Sequence, residues 1–125
     1  MFCLEDSRRI WGENHPATSA PLNDIAWFLA THRVPEVRNG TKAVEYATRA
    51  CELSQWQNQN WIDTLAAAYA EAGDFEEAVK WEERAIAMIR DTSSESDVPK
   101  EWENRLKLYQ LGKPFHEERP VYEGF

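Results

Sequence analysis

The sequence predicts an all-α fold, an α-α superhelix of two helical hairpins closed by a further C-terminal helix and an extended tail. Two observations carry this. Apolar residues recur at the i, i+3, i+4, i+7 spacing of one helix face in segments separated by Gly, Pro and Asn breakers. One pattern of small and large apolar residues also appears twice, with Ala43 and Ala78, and Ala50 and Ala85, each 35 positions apart.

Residues 1–20 show no period and hold Gly12, Pro16 and the pair Thr18-Ser19, so they read as a tail or lead-in. Helical signals begin at Pro21, a residue suited to a first turn, with Ser19 placed to cap it. Leu22, Ile25, Ala26 and Leu29 then mark one face, and the run ends near Thr31. His32 to Gly40 is a loop, broken by Pro35 and Asn39-Gly40. Thr41 is the expected cap of the second helix, whose buried face is Ala43, Val44, Ala47, Ala50, Cys51 and Leu53. The polar stretch Gln55 to Gln59 breaks it.

Asn60 is the expected cap of the third helix, with Ile62, Leu65, Ala66 and Tyr69 on one face and Gly73 as the stop. Asp74 caps the fourth, with Phe75, Ala78, Val79, Ala85, Ile86 and Met88 inward. Asp91 to Asp97 reads as a Ser-rich acidic linker. A fifth helix is expected over about 98–111, with the stripe Val98, Trp102, Leu106 and Tyr109 and a stop at Gly112. Residues 113–125 read as an extended tail; Phe115, Tyr122 and Phe125 favour its lying on the body of the protein.

The helices form copies. Lys42-Ala43-Val44-Glu45-Tyr46 parallels Glu77-Ala78-Val79-Lys80-Trp81, and Arg49-Ala50-Cys51-Glu52-Leu53 parallels Arg84-Ala85-Ile86-Ala87-Met88. Leu22, Ile25, Ala26 and Leu29 align with Ile62, Leu65, Ala66 and Tyr69 at an offset of 40, so the first copy carries its extra residues in the His32 to Gly40 loop. A helix–turn–helix unit recurring every ~34 residues is the tetratricopeptide signature. The second copy, Ile62-x-x-Leu65-Ala66-x-x-Tyr69 followed by Gly73, Phe75, Ala78 and Ala85, resembles that family closely.

The resemblance covers about residues 21–90, with repeat 1 over about 21–54 and repeat 2 over about 60–90; the fifth helix fits the family's capping helix, so the helical domain spans 21–112. The sequence departs from the pattern at Glu82, where the family has an aromatic residue, and at Arg90, where it has Pro. The long first-copy loop and Leu111 to Phe115 resemble a divergent variant associated with planctomycete-type bacterial proteins.

Lys plus Arg number 14 against 22 Asp plus Glu, a net charge of −8. That field disfavours nucleic acid and anionic membrane surfaces. No apolar run approaches a membrane span, and the first ten residues lack a signal-peptide pattern. Cys3 and Cys51 read as free thiols of a reducing, cytoplasmic setting.

The resemblance implies that the first helix of each repeat lines a concave, peptide-binding face. The expected lining is Asn23, Asp24, Trp27, Ala30 and Thr31, then Asn60, Asp63, Thr64, Ala67, Ala70 and Glu71. Family members that bind acidic chaperone tails use Lys, Arg and Asn there; this lining has Asn23 and Asn60 but neither Lys nor Arg. A basic or neutral protein or peptide is the expected partner, with Trp27 as anchor. The competing reading is a face that is solvated or covered by the chain's own tail.

Chemistry is not expected. His15, His32 and His116 have no ligand spacing, so no metal or cofactor is predicted. Asp24 and Asp63 are paired carboxylates only in a remote small-enzyme reading, since no nucleophile or oxyanion donor joins them. Cys51 occupies the packing position that Ile86 holds in the other copy. Trp56, Trp61, Trp81 and Trp102 read as packing between helices. The expected function is a non-catalytic protein-binding adaptor. The alternative is a structural unit that self-associates as a homodimer, because two repeats are fewer than the roughly three a stable stack usually needs.

Overall fold

The computed structural model describes residues 18–117. The readings of Cys3, His15, Tyr122 and Phe125, and the lead-in up to residue 17, lie outside the described residues. Within them are α1 (Ser19–Thr31), α2 (Gly40–Leu53), α3 (Gln59–Glu71), α4 (Phe75–Thr92) and α5 (Lys100–Gln110). Short 3-10 turns stand at Pro35–Val37 and Glu95–Asp97, and no strand occurs among the described residues.

The helices pack as two hairpins, α1 with α2 and α3 with α4, and α3 lies against both helices of the first hairpin. The hairpins therefore share an interior. It joins Ala26 and Ala30 of α1, Ala43, Ala47 and Cys51 of α2, Ile62 and Leu65 of α3, Ala85 and Ile86 of α4, and Val98 and Trp102 at α5. The buried alanines are nearly or wholly inaccessible. A methyl side chain allows helix axes to approach closely, and the few large side chains fill the gaps between them. This is the architecture the repeat predicts.

The helix starts differ from expectation. Ser19 lies inside α1 and Thr18 is its N-terminal flank, with no side-chain cap. The Ser19 hydroxyl instead accepts from the Trp61 indole at 3.2 Å, which ties α1 to α3. Asn39, not Thr41, caps α2, accepting from the Lys42 amide at 3.0 Å. Asn58, not Asn60, caps α3, accepting from the amides of Asn60 and Trp61. In both cases the helix starts earlier than expected, so Thr41 and Asn60 lie inside the first turn and the asparagine two residues upstream holds the extended cap position. Asp74 caps α4 through the Glu77 amide as predicted, and Gly73 precedes it at φ +92°, a left-handed conformation that glycine adopts without a Cβ penalty.

The turn between α2 and α3 is held by two non-glycine residues in left-handed backbone, Gln55 at φ 58° and Trp56 at φ 59°. Such residues need outside support. The Trp56 amide closes the helix end on the Cys51 carbonyl at 2.8 Å. Its ring stacks on Trp81 of α4, centroids 5.2 Å apart. The aromatic pair bridges the first hairpin to the second. Trp102 is buried in the core beside them.

The loop between α1 and α2 is anchored at several points. The Asn39 amide donates to the Leu29 carbonyl at 2.9 Å. Arg38 donates to the His32 carbonyl at 2.7 Å and to Glu71 of α3 at 3.1 Å. Gly40 begins α2 directly against the end of α3, where a Cβ would stand 2.5 Å from the Ala72 backbone nitrogen. The extra residues of the first copy thus pin the start of α2 to the second repeat.

Candidate functional site

Helices α1, α3 and α5 present side chains to one shared face. α5 reaches it because Arg105 lies on the same helical side as Trp102 and Tyr109, at i+3 and i−4. The sequence reading took Leu106 for that stripe. The structure instead buries Arg105, with Leu106 only partly covered.

Arg105 organises the interior of the face. Its Nη2 donates to both carboxylate oxygens of Asp63, at 3.2 and 3.0 Å, and its Nε donates to Oδ1 at 3.3 Å. Its guanidinium carbon lies 5.2 Å from the Trp27 ring centroid and 5.1 Å from that of Phe115. Cation–π attraction strengthens as water is excluded. Glu82, from α4, is fully buried behind this pair, and neither carboxyl oxygen has a hydrogen-bond partner of good geometry among the described residues. Burial first, then the neighbouring Asp63 charge, pushes the Glu82 carboxyl up to about 10, with Arg105 opposing. Burial pushes Asp63 up as well, while Arg105 pulls it down. One guanidinium serves two carboxyls, so the proton stays on Glu82 and Asp63 takes the ion pair. Tyr109 lies against the same group; burial and the two carboxyls raise its hydroxyl strongly.

The chain's own segment 113–117 runs over this face. After Gly112 turns left-handed at φ +75°, Phe115 sets its ring against Trp27, centroids 5.9 Å apart. His116 Nε2 donates to Glu71 Oε1 at 2.6 Å. The Glu117 amide donates to the Thr31 carbonyl at 2.7 Å. Glu71 therefore holds Arg38 on one oxygen and His116 on the other. Beyond Glu117 an open depression of about 290 Å³ remains, lined by Asp24, Trp27, Phe28, Thr31, His32, Arg33 and Glu117.

The structure divides the predicted site residues. Asp24 and Asn60 are exposed, and Trp27 and Glu71 are half-buried under the tail. Thr31 is buried, its hydroxyl donating to the Trp27 carbonyl. Thr64 is buried and donates to the Asn60 carbonyl. Asn23 is buried, and its Oδ1 has no donor among the described residues. Asp63 is buried on Arg105. Ala30, Ala67 and Ala70 form the floor. Asp24 and Asp63 do not share a cavity: Asp24 faces open depressions, while Asp63 is closed off by the cap helix. His32 accepts the Val34 amide on its Nδ1. Cys51 is a buried free thiol, and burial with the Glu52 charge pushes it up to about 12.

The sequence reading expects Phe115 on the body and allows the tail to cover this face, but does not name Arg105, Glu82 or His116 as parts of it. For Glu82 the signal was present. It stands where the repeat expects an aromatic, which marks a carboxyl at a packing position; Arg105, inside an apolar stripe, pairs with Asp63 and acts on Glu82 only through its charge.

The alanine-packed hairpins and the capping helix define a helical-repeat protein. Residues 60–97 match the family model described as tetratricopeptide repeat, which spans α3, α4 and the turn after them. That segment carries a tetratricopeptide repeat. No curated protein and no solved structure matches the chain. Repeats of this family generally mediate protein–protein interaction. No helix among the described residues is long and apolar enough to cross a membrane.

Proposed function

We propose that this chain is a protein- or peptide-binding adaptor, without catalysis, whose binding surface is the concave face of α1 and α3. The observation that supports it is the path of residues 113–117. An extended segment already lies there, with an aromatic ring on Trp27, a side chain on Glu71 and a backbone amide on the Thr31 carbonyl. Those are the contacts a peptide makes with a groove. Asp24, Trp27, Asn60 and Glu71 have accessible surface for a partner, while Asn23, Thr31, Asp63 and Thr64 shape the wall from behind. The carboxylates of Asp24 and Glu71 and the net charge of −8 favour a basic or neutral segment over an acidic one. The free Cys51 thiol accords with a reducing, cytoplasmic setting, and the long first-copy loop with Leu111 to Phe115 resembles planctomycete-type bacterial modules.

A selection of random linear peptides on the immobilised full chain tests this reading. Enriched peptides should lose binding to Asp24→Lys and Trp27→Ala variants, and keep it in a Lys80→Glu variant on the far surface. Binding indifferent to the first two changes would remove the proposal.

A second reading, a unit that pairs with its own copy, is favoured by an apolar depression of about 480 Å³ between α1 and α2. It is lined by Pro21, Ile25, Phe28, Leu29 and Tyr46, with Asp24 and Lys42 at its rim, and Phe28 is 50% exposed. Molar mass by light scattering, with and without Phe28→Glu, separates the readings. A dimer dissolved by that change supports pairing; a monomer throughout supports the adaptor.

A further inference from the structure

The segment 113–117 also specifies what a partner must look like, an inference that rests on the adaptor reading. Lys113 and Pro114 deliver the chain in extended form. Phe115 then enters a slot with two distinct walls, the Trp27 ring at 5.9 Å between centroids and the Arg105 guanidinium at 5.1 Å. Arg105 cannot swing away to admit a larger group, because its donors are committed to the buried Asp63. The slot is therefore preformed and selects a flat aromatic side chain.

The next residue, His116, meets Glu71, whose carboxylate is itself held by Arg38. A carboxylate accepts only, so this position selects a donor and is best satisfied by a cation. The third contact is backbone to backbone, Glu117 amide to Thr31 carbonyl, and is blind to side chain. The contacts reveal a short code of aromatic followed directly by a basic donor.

We infer that the partner of this face is an extended polypeptide segment carrying an aromatic residue followed immediately by a basic one, and that residues 113–117 are an intramolecular copy of that segment which the partner displaces. The cis segment competes at an effective concentration on the order of mM, as short tethers do. The intact chain is thus held in a low-affinity state.

The test is fluorescence anisotropy with a labelled peptide of sequence Leu-Gly-Lys-Pro-Phe-His-Glu. It is titrated with the full chain and with a full-length Phe115→Ala, His116→Ala variant. The variant should bind about tenfold or more tightly than the intact chain, because its own segment no longer occupies the site. Replacing His by Arg in the peptide should preserve or tighten binding. Replacing it by Glu, or Phe by Ala, should abolish it. Equal binding of the Phe→Ala peptide, or no gain in the variant, would overturn the inference.

If the variant ignores this peptide but still binds peptides from the random selection, the code fails while the adaptor reading stands. If it binds neither, both fall. A fluorinated phenylalanine at position 115 of the intact chain gives a readout independent of the variant's folding. Saturating peptide should move its resonance to that of a solvent-exposed ring; an unmoved resonance with peptide bound contradicts displacement.

Discussion

Arg105 and Asp63 stand 42 positions apart and meet as a fork, Nη2 on Oδ2 at 3.0 Å and Nε on Oδ1 at 3.3 Å, with both side chains buried. The contact ties the cap helix to the first helix of the second repeat. It also leaves two carboxyls dependent on one cation. Removing the cation should be severe. Arg105→Leu leaves Asp63 and Glu82 buried without compensation, and a loss of about 3–5 kcal/mol is expected from breaking a buried pair. Urea unfolding of the variant at neutral pH checks this; a loss under about 1 kcal/mol, the range of exposed pairs, would show that the fork is peripheral.

Glu82 gives a pH-dependent prediction. Its folded-state carboxyl is raised to about 10 from an ordinary 4.5. The folded protein therefore holds a proton that the unfolded chain releases above its own pKa. Stability from this group is complete below about 4.5 and falls as pH climbs toward 10. Glu82→Gln keeps the shape and removes the titration. The variant should match the parent at acid pH and exceed it increasingly between pH 6 and 9, by at least about 1 kcal/mol at the upper end. Urea midpoints that stay parallel across that range would contradict the assignment.

Much of the fold is legible in the sequence, and the reasons lie in particular residues. The alanines at 43, 50, 78 and 85 set the hairpin contact, and their spacing alone reveals the repeat. The cap positions differ because the helices start at Gly40 and Gln59, which puts Thr41 and Asn60 inside the first turn and leaves Asn39 and Asn58 as the caps. The composition of the α1–α3 face was only half legible. The family resemblance names Trp27, Asp63 and Glu71 for this face, and the structure sets Trp27 and Glu71 half-buried and Asp63 buried. The resemblance could not show that Arg105 would neutralise Asp63, nor that Phe115 would cover Trp27, because those contacts link segments far apart in sequence. Glu82 was visible as a departure from the family pattern, but the Arg105–Asp63 pair that sets its surroundings came into view only with α5 in place.

Gly40 should tolerate no side chain. Its Cβ position is 2.5 Å from the Ala72 nitrogen and 2.6 Å from its Cα, both backbone atoms of a packed helix end. Gly40→Ala would force α2 away from α3, at about 1–3 kcal/mol as overpacking costs. A thermal midpoint lowered by several degrees in circular dichroism is expected. An unchanged or raised midpoint would show that the approach is looser.

Cys51 should be chemically silent in the folded state. Its thiol is buried and raised to about 12, so almost no thiolate exists at neutral pH. In a Cys3→Ser background, labelling by a disulfide reagent should be slow in buffer and complete within mixing time in denaturant. Rapid labelling without denaturant would place the thiol at the surface.

The account's central claim is that α1 and α3 form the binding face and that residues 113–117 fill it. A backbone-amide map of the ¹⁵N-labelled full chain with the Phe-His peptide tests both at once. The account predicts shifts at Trp27, Thr31, Glu71, Arg105 and 115–117. Shifts confined to Pro21, Phe28 and Tyr46, with 115–117 unmoved, would contradict it.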